Sequence, residues 1–243
     1  VLNLARDRSC LRVPSTHKKT RSLSKPGKSP RGSAPPSEPA VPTRNRILQA
    51  AIDEFADKGF AGGRVDAICA AANVNIRMVY HYFGDKAGLY IAVLEHVLGE
   101  LRQEELKLDI GRTSPMDAIL QLFDFTYEHF AAHPRLISLL SGENLLKAEF
   151  LKRSSRTPVI SSPVLRLVRQ ILQAGEADGS LRGGLDPLQI YVTFVSLSYF
   201  HLSNGHTLSV IFERDLFEAE WLSQHKAIAR EVVRRFVASA VTE

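Results

Sequence analysis

Four prolines, Pro115, Pro134, Pro158 and Pro187, each stand at the head of a stretch whose apolar residues recur every three or four positions. A proline in the first helical turn surrenders no hydrogen bond, so this placement marks helix starts rather than breaks. Glycines punctuate the other ends: Gly59, Gly84, Gly111, Gly175, Gly179 and the pair Gly183-Gly184. No run alternates with period two for long enough to ask for a sheet. The spacing predicts an all-α fold of about nine helices, near 43–59, 65–72, 76–82, 85–109, 115–132, 134–150, 158–177, 187–202 and 215–240. Thr43 and Asn75 are read as amino-terminal caps, and Gly59 as the stop of the first helix.

Charge divides the 243-residue chain unevenly. Residues 1–45 hold ten basic and two acidic side chains, so their net +8 exceeds the +5 of the whole chain, and the remainder is mildly acidic. Seven of the twelve prolines lie there too, with seven serines, which predicts a disordered basic tail over 1–42. Contact with nucleic acid and a passive extension are equal readings of that tail. A transit peptide is the weaker one, because no amphipathic pattern runs through it. The chain begins with Val1, which fits a fragment, a processed form or an alternative start codon.

The other 198 residues carry enough apolar side chains for a sizeable core, with 44% of the chain hydrophobic. Two cysteines, Cys10 and Cys69, make neither a disulfide framework nor a four-thiolate zinc site. No stretch approaches the length of an apolar membrane span. These features point to a soluble, cytoplasmic protein with no cofactor. Enzymatic signatures are missing as well, whether a glycine-rich phosphate loop after a strand, a nucleophile elbow or a two-histidine zinc helix. His129 and His133 stand four apart, half of a metal site with no further ligand beside them, so no metal is expected.

Residues 44–83 hold three closely spaced helices, the last two joined by Asn73-Val74. One short capped helix braced by another is the arrangement that enters a DNA major groove. Arg77 brings five donors suited to a guanine edge or a phosphate. Asn75, Tyr80, His81, Tyr82 and Lys86 stand around it, and Arg44 and Arg46 open the first helix. Tyrosine hydroxyls and lysine suit phosphate oxygens, which position a protein without reading sequence. Residues 44–98 have equal numbers of basic and acidic side chains, a small electrostatic footprint for a DNA binder.

Here a resemblance becomes specific. Ile47-Leu48-Gln49-Ala50-Ala51, Phe55 and Gly59-Phe60 resemble the first helix and turn of the TetR family of transcriptional regulators. Val65 to Asn75 resembles its second helix and turn. Val79-Tyr80-His81-Tyr82-Phe83-Gly84-Asp85-Lys86-Ala87-Gly88-Leu89-Tyr90 resembles its most distinctive run. The segment Asn204 to Phe212 is similar, more weakly, to one found in a broad subgroup. The resemblance implies a helix-turn-helix domain over 43–90 and a helical ligand-binding and dimerisation domain over 91–243. It implies a homodimer on a palindromic operator, usually a repressor released from DNA by a small-molecule effector. Tyr80, Tyr82 and Lys86 match positions that in the family mostly touch phosphates. Asn75 stands where Ser or Thr usually caps the recognition helix, Asn73 where a turn glycine is usual, and Gly63 where Thr often caps the second helix. Arg77 replaces a small residue, so operator sequence does not carry over.

The carboxy-terminal half is less legible. Phe123, Tyr127, Phe130 and Leu140 suit either a ligand cavity or a filled core, and Glu143 either a polar ligand contact or an exposed carboxylate. Helix 187–202 is apolar nearly all round, which asks for burial on more than one side. Ile190, Phe194 and Leu197, with Ile228, Val232 and Phe236 of the last helix, are the candidate dimer interface. A transcriptional activator of the same fold, or an all-helical interaction module without DNA binding, is the alternative.

Overall fold

The computed structural model describes residues 42–108 and 111–239, so the basic tail lies outside the described residues. Ten α-helices are present among them: α1 (Thr43–Gly62), α2 (Val65–Ala72), α3 (Ile76–Phe83), α4 (Lys86–Glu105), α5 (Pro115–Ala132), α6 (Pro134–Leu145), α7 (Thr157–Asp178), α8 (Pro187–Ser203), α9 (Gly205–Ile211) and α10 (Ala219–Val237). A short 3-10 turn at Leu151–Arg153 precedes α7, and an isolated antiparallel bridge pairs Leu181 with Ala238. The all-α expectation holds, and α9 is a helix the periodicity did not pick out.

Helix starts follow side-chain chemistry. Asn75, Asp85, Ser114 and Asp186 each accept a hydrogen bond from a backbone N–H of the first turn, at 2.6 to 3.1 Å. Pro115, Pro134 and Pro187 are first helical residues, and Pro158 follows one residue after the start of α7. Several expected boundaries move, among them the end of α4, at Glu105 rather than 109, and the start of α10, at Ala219 rather than 215. Thr43 is not a cap: Pro42 occupies that position without a side-chain bond, and Thr43 is the first helical residue. Gly59, with φ +66°, interrupts α1 as expected, but helical structure continues to Gly62. Helix α6 stops at Leu145 rather than 150, because Lys147 and Ala148 both take left-handed backbone, φ +55° and +59°.

Two buried clusters hold these helices together. The first joins Ile47, Ala51 and Phe55 of α1, Ile68 and Ala72 of α2, Val79 of α3 and the inner face of α4 to Phe130, Leu136, Leu139 and Phe150. The helix-turn-helix region therefore shares its core with α4, α6 and the segment after α6. The second cluster packs α5, α7, α8 and α10 around Phe123, Val168, Phe194 and Val233. Val195 of α8 packs against both. An Arg135–Asp53 ion pair at 2.7 Å adds a polar tie between α6 and α1.

Candidate nucleic-acid interface and effector region

Helix α3 is short enough that its placement depends on its ends and one buried stripe. Val79 is fully buried and Phe83 half-buried, four residues apart on the inner face. Arg77, Tyr80 and His81 share the opposite face by the same three- and four-residue spacing, and all are exposed. Tyr82 is exposed too, its ring edge-on to His81 at 5.1 Å. The turn before α3 works because Asn73 takes left-handed backbone, φ +51°, and its N–H reaches the Ala70 carbonyl. The Asn75 side chain then accepts from the Arg77 N–H at 2.9 Å.

The flanking basic residues are built into this unit. Arg46 Nε donates to the Ala72 carbonyl at the end of α2, at 3.3 Å, and the Arg44 guanidinium lies 5.3 Å from the Phe83 ring centroid. Lys86 Nζ donates to the Ala61 carbonyl at 3.3 Å and sits 4.8 Å above the Phe60 ring. Arg46 and Lys86 thus each commit a donor to the protein itself, whereas the Arg44 contact is with a ring face.

Three positions carry constraints that the motif alone did not reveal. A Cβ on Gly63 would lie 2.5 Å from the Phe55 ring, so this glycine serves packing rather than capping. The amino terminus of α2 is instead served by Glu54, whose carboxylate accepts from the Arg64 N–H at 3.0 Å. The adjacent Lys58, and then that backbone bond, hold the Glu54 carboxyl below its ordinary range. A Cβ on Gly88 would meet the Phe83 carbonyl oxygen at 2.0 Å, which is why only glycine lets α4 start so close to the end of α3.

The five candidate ligand residues do not converge. Phe123 and Tyr127 belong to the second core cluster, with Phe123 edge-on to Phe194 at 5.6 Å. Phe130 lies in the first, against Tyr199 at 5.6 Å. All three are taken up by packing. Leu140 and Glu143 instead line a cavity of about 220 Å³ with Asn144, Ala148, Leu151, Val195 and Tyr199. Glu143 is not a surface carboxylate: it is 1% exposed, and its Oε1 accepts from the N–H groups of Phe150 and Leu151 at 2.7 and 2.8 Å.

Polar groups inside the fold are more numerous than the periodicity suggested. Tyr127 Oη lies 3.2 Å from His201 Nε2 and 2.9 Å from His225 Nδ1. Burial, followed by the neighbouring His225, pushes His201 down to about 4. His129 and His133 stack with ring centroids 3.9 Å apart, and His133 Nδ1 donates to the His129 carbonyl at 2.7 Å. Burial and then His133 push His129 down to about 4. No group of three or more His, Cys, Asp or Glu side chains is arranged to hold a metal among the described residues. Arg102 and Glu105 of α4 form a buried ion pair that Tyr191 of α8 joins through its hydroxyl, 2.9 Å from Glu105 Oε1. Cys69 is a buried free thiol whose titration is pushed up by burial.

The interface candidates divide cleanly by exposure. Ile190 and Phe194 are 2% and 1% exposed within one chain, filling the second cluster, and Leu197 packs against it. Ile228, Val232 and Phe236 are exposed at four-residue spacing along α10. On α8 the exposed apolar residues are Leu188, Val192 and Phe200. None of the helices among the described residues is long and apolar enough to cross a membrane.

Comparison with known proteins fits this arrangement. Residues 47–93 match the family model for bacterial regulatory proteins of the tetR family, and residues 115–233 the tetracyclin repressor-like C-terminal domain. The HTH-type transcriptional repressor NicS of Pseudomonas putida is 36% identical over 197 residues, covering 79% of this chain and 93% of that protein. The repressor KstR2 of Mycolicibacterium smegmatis is 29% identical over 176 residues, covering 68% and 82%. Among solved structures, reduced NemR of E. coli superposes with a TM-score of 0.59 at 24% identity, covering 82% of this chain and 99% of that one. FadR of Bacillus subtilis in complex with stearoyl-CoA superposes with a TM-score of 0.58 at 18% identity, covering 80% and 99%. Those two likenesses concern the fold. With both halves matched by family models and a relative covered nearly end to end, the chain belongs to the TetR family of helix-turn-helix, DNA-binding transcriptional regulators.

Proposed function

We propose that this regulator is a ligand-responsive repressor that binds a palindromic operator as a homodimer. The observation that carries the reading is the outer face of α3. Arg77, Tyr80 and His81 stand together in solvent on a capped helix whose inner face is locked into the core. In a major groove Arg77 reads a base edge, while Tyr80, His81, Tyr82 and Lys86 grip phosphates on either side. Asn75 fixes the entry of α3, and Arg44 and Arg46 present their remaining donors from α1. Residues 43–90 form the DNA-binding part and 91–243 the effector and dimerisation part. The repressor sign is supported by NicS and KstR2, both named as transcriptional repressors.

Exposed apolar rows support the dimer. Leu188, Val192 and Phe200 of α8, with Ile228, Val232 and Phe236 of α10, leave about half of each side chain in water within a single chain. Two such helices meeting their symmetry mates make a four-helix interface and present two copies of α3 to successive grooves. Ile190 and Phe194, which fill the chain's own core, are replaced in this assignment by Val192 and Phe200. The experiment is binding to DNA from the chain's own upstream region by fluorescence anisotropy. Specific binding that disappears on changing Arg77 and Tyr80 together, at an unchanged melting temperature, supports the reading. Binding indifferent to both changes refutes it.

A further inference from the structure

The cavity beside Glu143 is unusual for what its carboxylate leaves undone. Oε1 is saturated by two backbone N–H groups, whereas Oε2 is buried with no hydrogen-bond partner. Leaving such an acceptor dry and unpaired inside a protein is costly, so a group that supplies a donor there is strongly favoured. The walls are otherwise mostly apolar: Leu140, Ala148, Leu151 and Val195. Tyr199 does not supply the missing donor, because its hydroxyl lies 2.6 Å from Ser141 Oγ and 3.4 Å from the Ile137 carbonyl. At about 220 Å³ the space exceeds the ~150 Å³ that admits a benzene ring in an apolar cavity.

We propose that this cavity takes a small apolar ring carrying one cationic N–H donor, a protonated amine, whose nitrogen pairs with Glu143 Oε2, and that its occupancy is relayed to the DNA-binding helices through Phe150. The proposal rests on the ligand-responsive reading above and names the effector's chemistry and its route.

The route follows from what Glu143 holds. Its backbone carbonyl accepts from Ala148 and its carboxylate from Phe150 and Leu151, so one residue pins the left-handed Lys147-Ala148 step and the chain beyond it. The Phe150 ring packs at a tilt 4.2 Å from that of Phe60 at the end of α1 and edge-on 5.0 Å from that of Tyr90 of α4. Phe60 in turn carries Lys86 on its face. A cation drawing Glu143 toward the cavity changes its grip on the Phe150 and Leu151 N–H groups. The aromatic contact then transmits that change to the elements that set α3. Tyr90 stays neutral throughout: burial, and then the nearby Glu143 charge, push its hydroxyl up to about 12.

The test is calorimetric titration of the full chain at neutral pH with benzylammonium, toluene and benzoate. Benzylammonium is expected to bind about tenfold or more tightly than toluene, with no binding of benzoate. Glu143→Gln keeps a carbonyl for both N–H groups but puts an amide NH2 in place of Oε2, and should remove that preference. Should this variant not fold, Val195→Phe fills the cavity with Glu143 intact and is expected to abolish binding. Toluene or benzoate binding as tightly as benzylammonium overturns the site, as does benzylammonium binding untouched by Val195→Phe. The relay is read by DNA anisotropy. Benzylammonium should weaken DNA binding of the native chain but not of Phe150→Leu, and an equal effect on both overturns the route. Benzylammonium bound through Glu143 by a chain that never binds its upstream DNA leaves the site standing and removes the regulator reading instead.

Discussion

At the residue scale, the recognition helix was legible because its chemistry is local. Asn75 as cap, and Arg77, Tyr80, His81 and Tyr82 as groups that could reach DNA, follow from spacing and side-chain type. The turn role of Asn73 came with the family resemblance, and the sorting of Arg77, Tyr80 and His81 onto one outer face came from the structure. Arg77→Ala should weaken binding to the cognate operator by about 5- to 150-fold and blunt discrimination at one base pair, the loss of a bidentate base contact. Competition binding against single-base operator variants checks this. Gly63 and Gly88 were not legible, because their constraint lies in a ring and a carbonyl that reach them only in three dimensions. Gly88→Ala places a methyl 2.0 Å from the Phe83 carbonyl, with no flexible side chain to give way. It should lower stability by about 1–3 kcal/mol. A thermal melt of the variant reads this, and an unchanged melting temperature would show that the α3–α4 corner yields freely.

At the element scale, helix existence was readable and helix ends were less so. Pro115 and Pro134 alone gave α5 to the residue, whereas α6 ends early because two non-glycine residues turn left-handed under the hold of Glu143. Nothing in the sequence of Lys147-Ala148 announces that. Helix α9 was missed because its seven residues follow α8 after a single residue, Asn204, too short a stretch for periodicity to show. The buried polar contacts between elements were equally hidden: α5 meets α8 and α10 through Tyr127, His201 and His225. They make stability depend on pH with a definite sign. His129 and His201 titrate near 4 when folded against about 6.5 when unfolded, so folding favours their neutral forms. Their contribution is complete above about pH 6.5 and is lost as pH falls toward 4. Glu105, raised by burial, runs in the opposite sense, its contribution present at low pH and lost as pH rises through its folded value. Melting temperature should therefore fall on acidification from pH 7 to 4.5, and His201→Gln should flatten that fall. A native slope no steeper than the variant's would contradict the assignment.

At the scale of the whole molecule, an apolar helix told that α8 is buried on more than one side without telling which side faces its own chain. Ile190 and Phe194 turned inward, and Val192, Phe200, Ile228, Val232 and Phe236 remain in water. Val232→Asp combined with Phe200→Asp should yield a monomer in light scattering at micromolar concentration, with helix content retained. Retention of a dimer by that variant would place the interface elsewhere. Net charge proved a poor guide to DNA binding, since the +8 of residues 1–45 lies almost wholly outside the helix-turn-helix unit. On the nucleic-acid reading of the tail, removing residues 1–41 should weaken DNA binding and flatten the dependence of log affinity on log salt, and an unchanged slope would leave the passive-extension reading.

Operator binding as a homodimer is decided by the stoichiometry of the DNA complex. Anisotropy titration of a labelled palindromic duplex selected from the upstream region, above the dissociation constant, should saturate at two chains per duplex. Arg77→Ala with Tyr80→Ala should abolish the complex at an unchanged melting temperature. Saturation at one chain per duplex, or a complex that survives both substitutions, would contradict it.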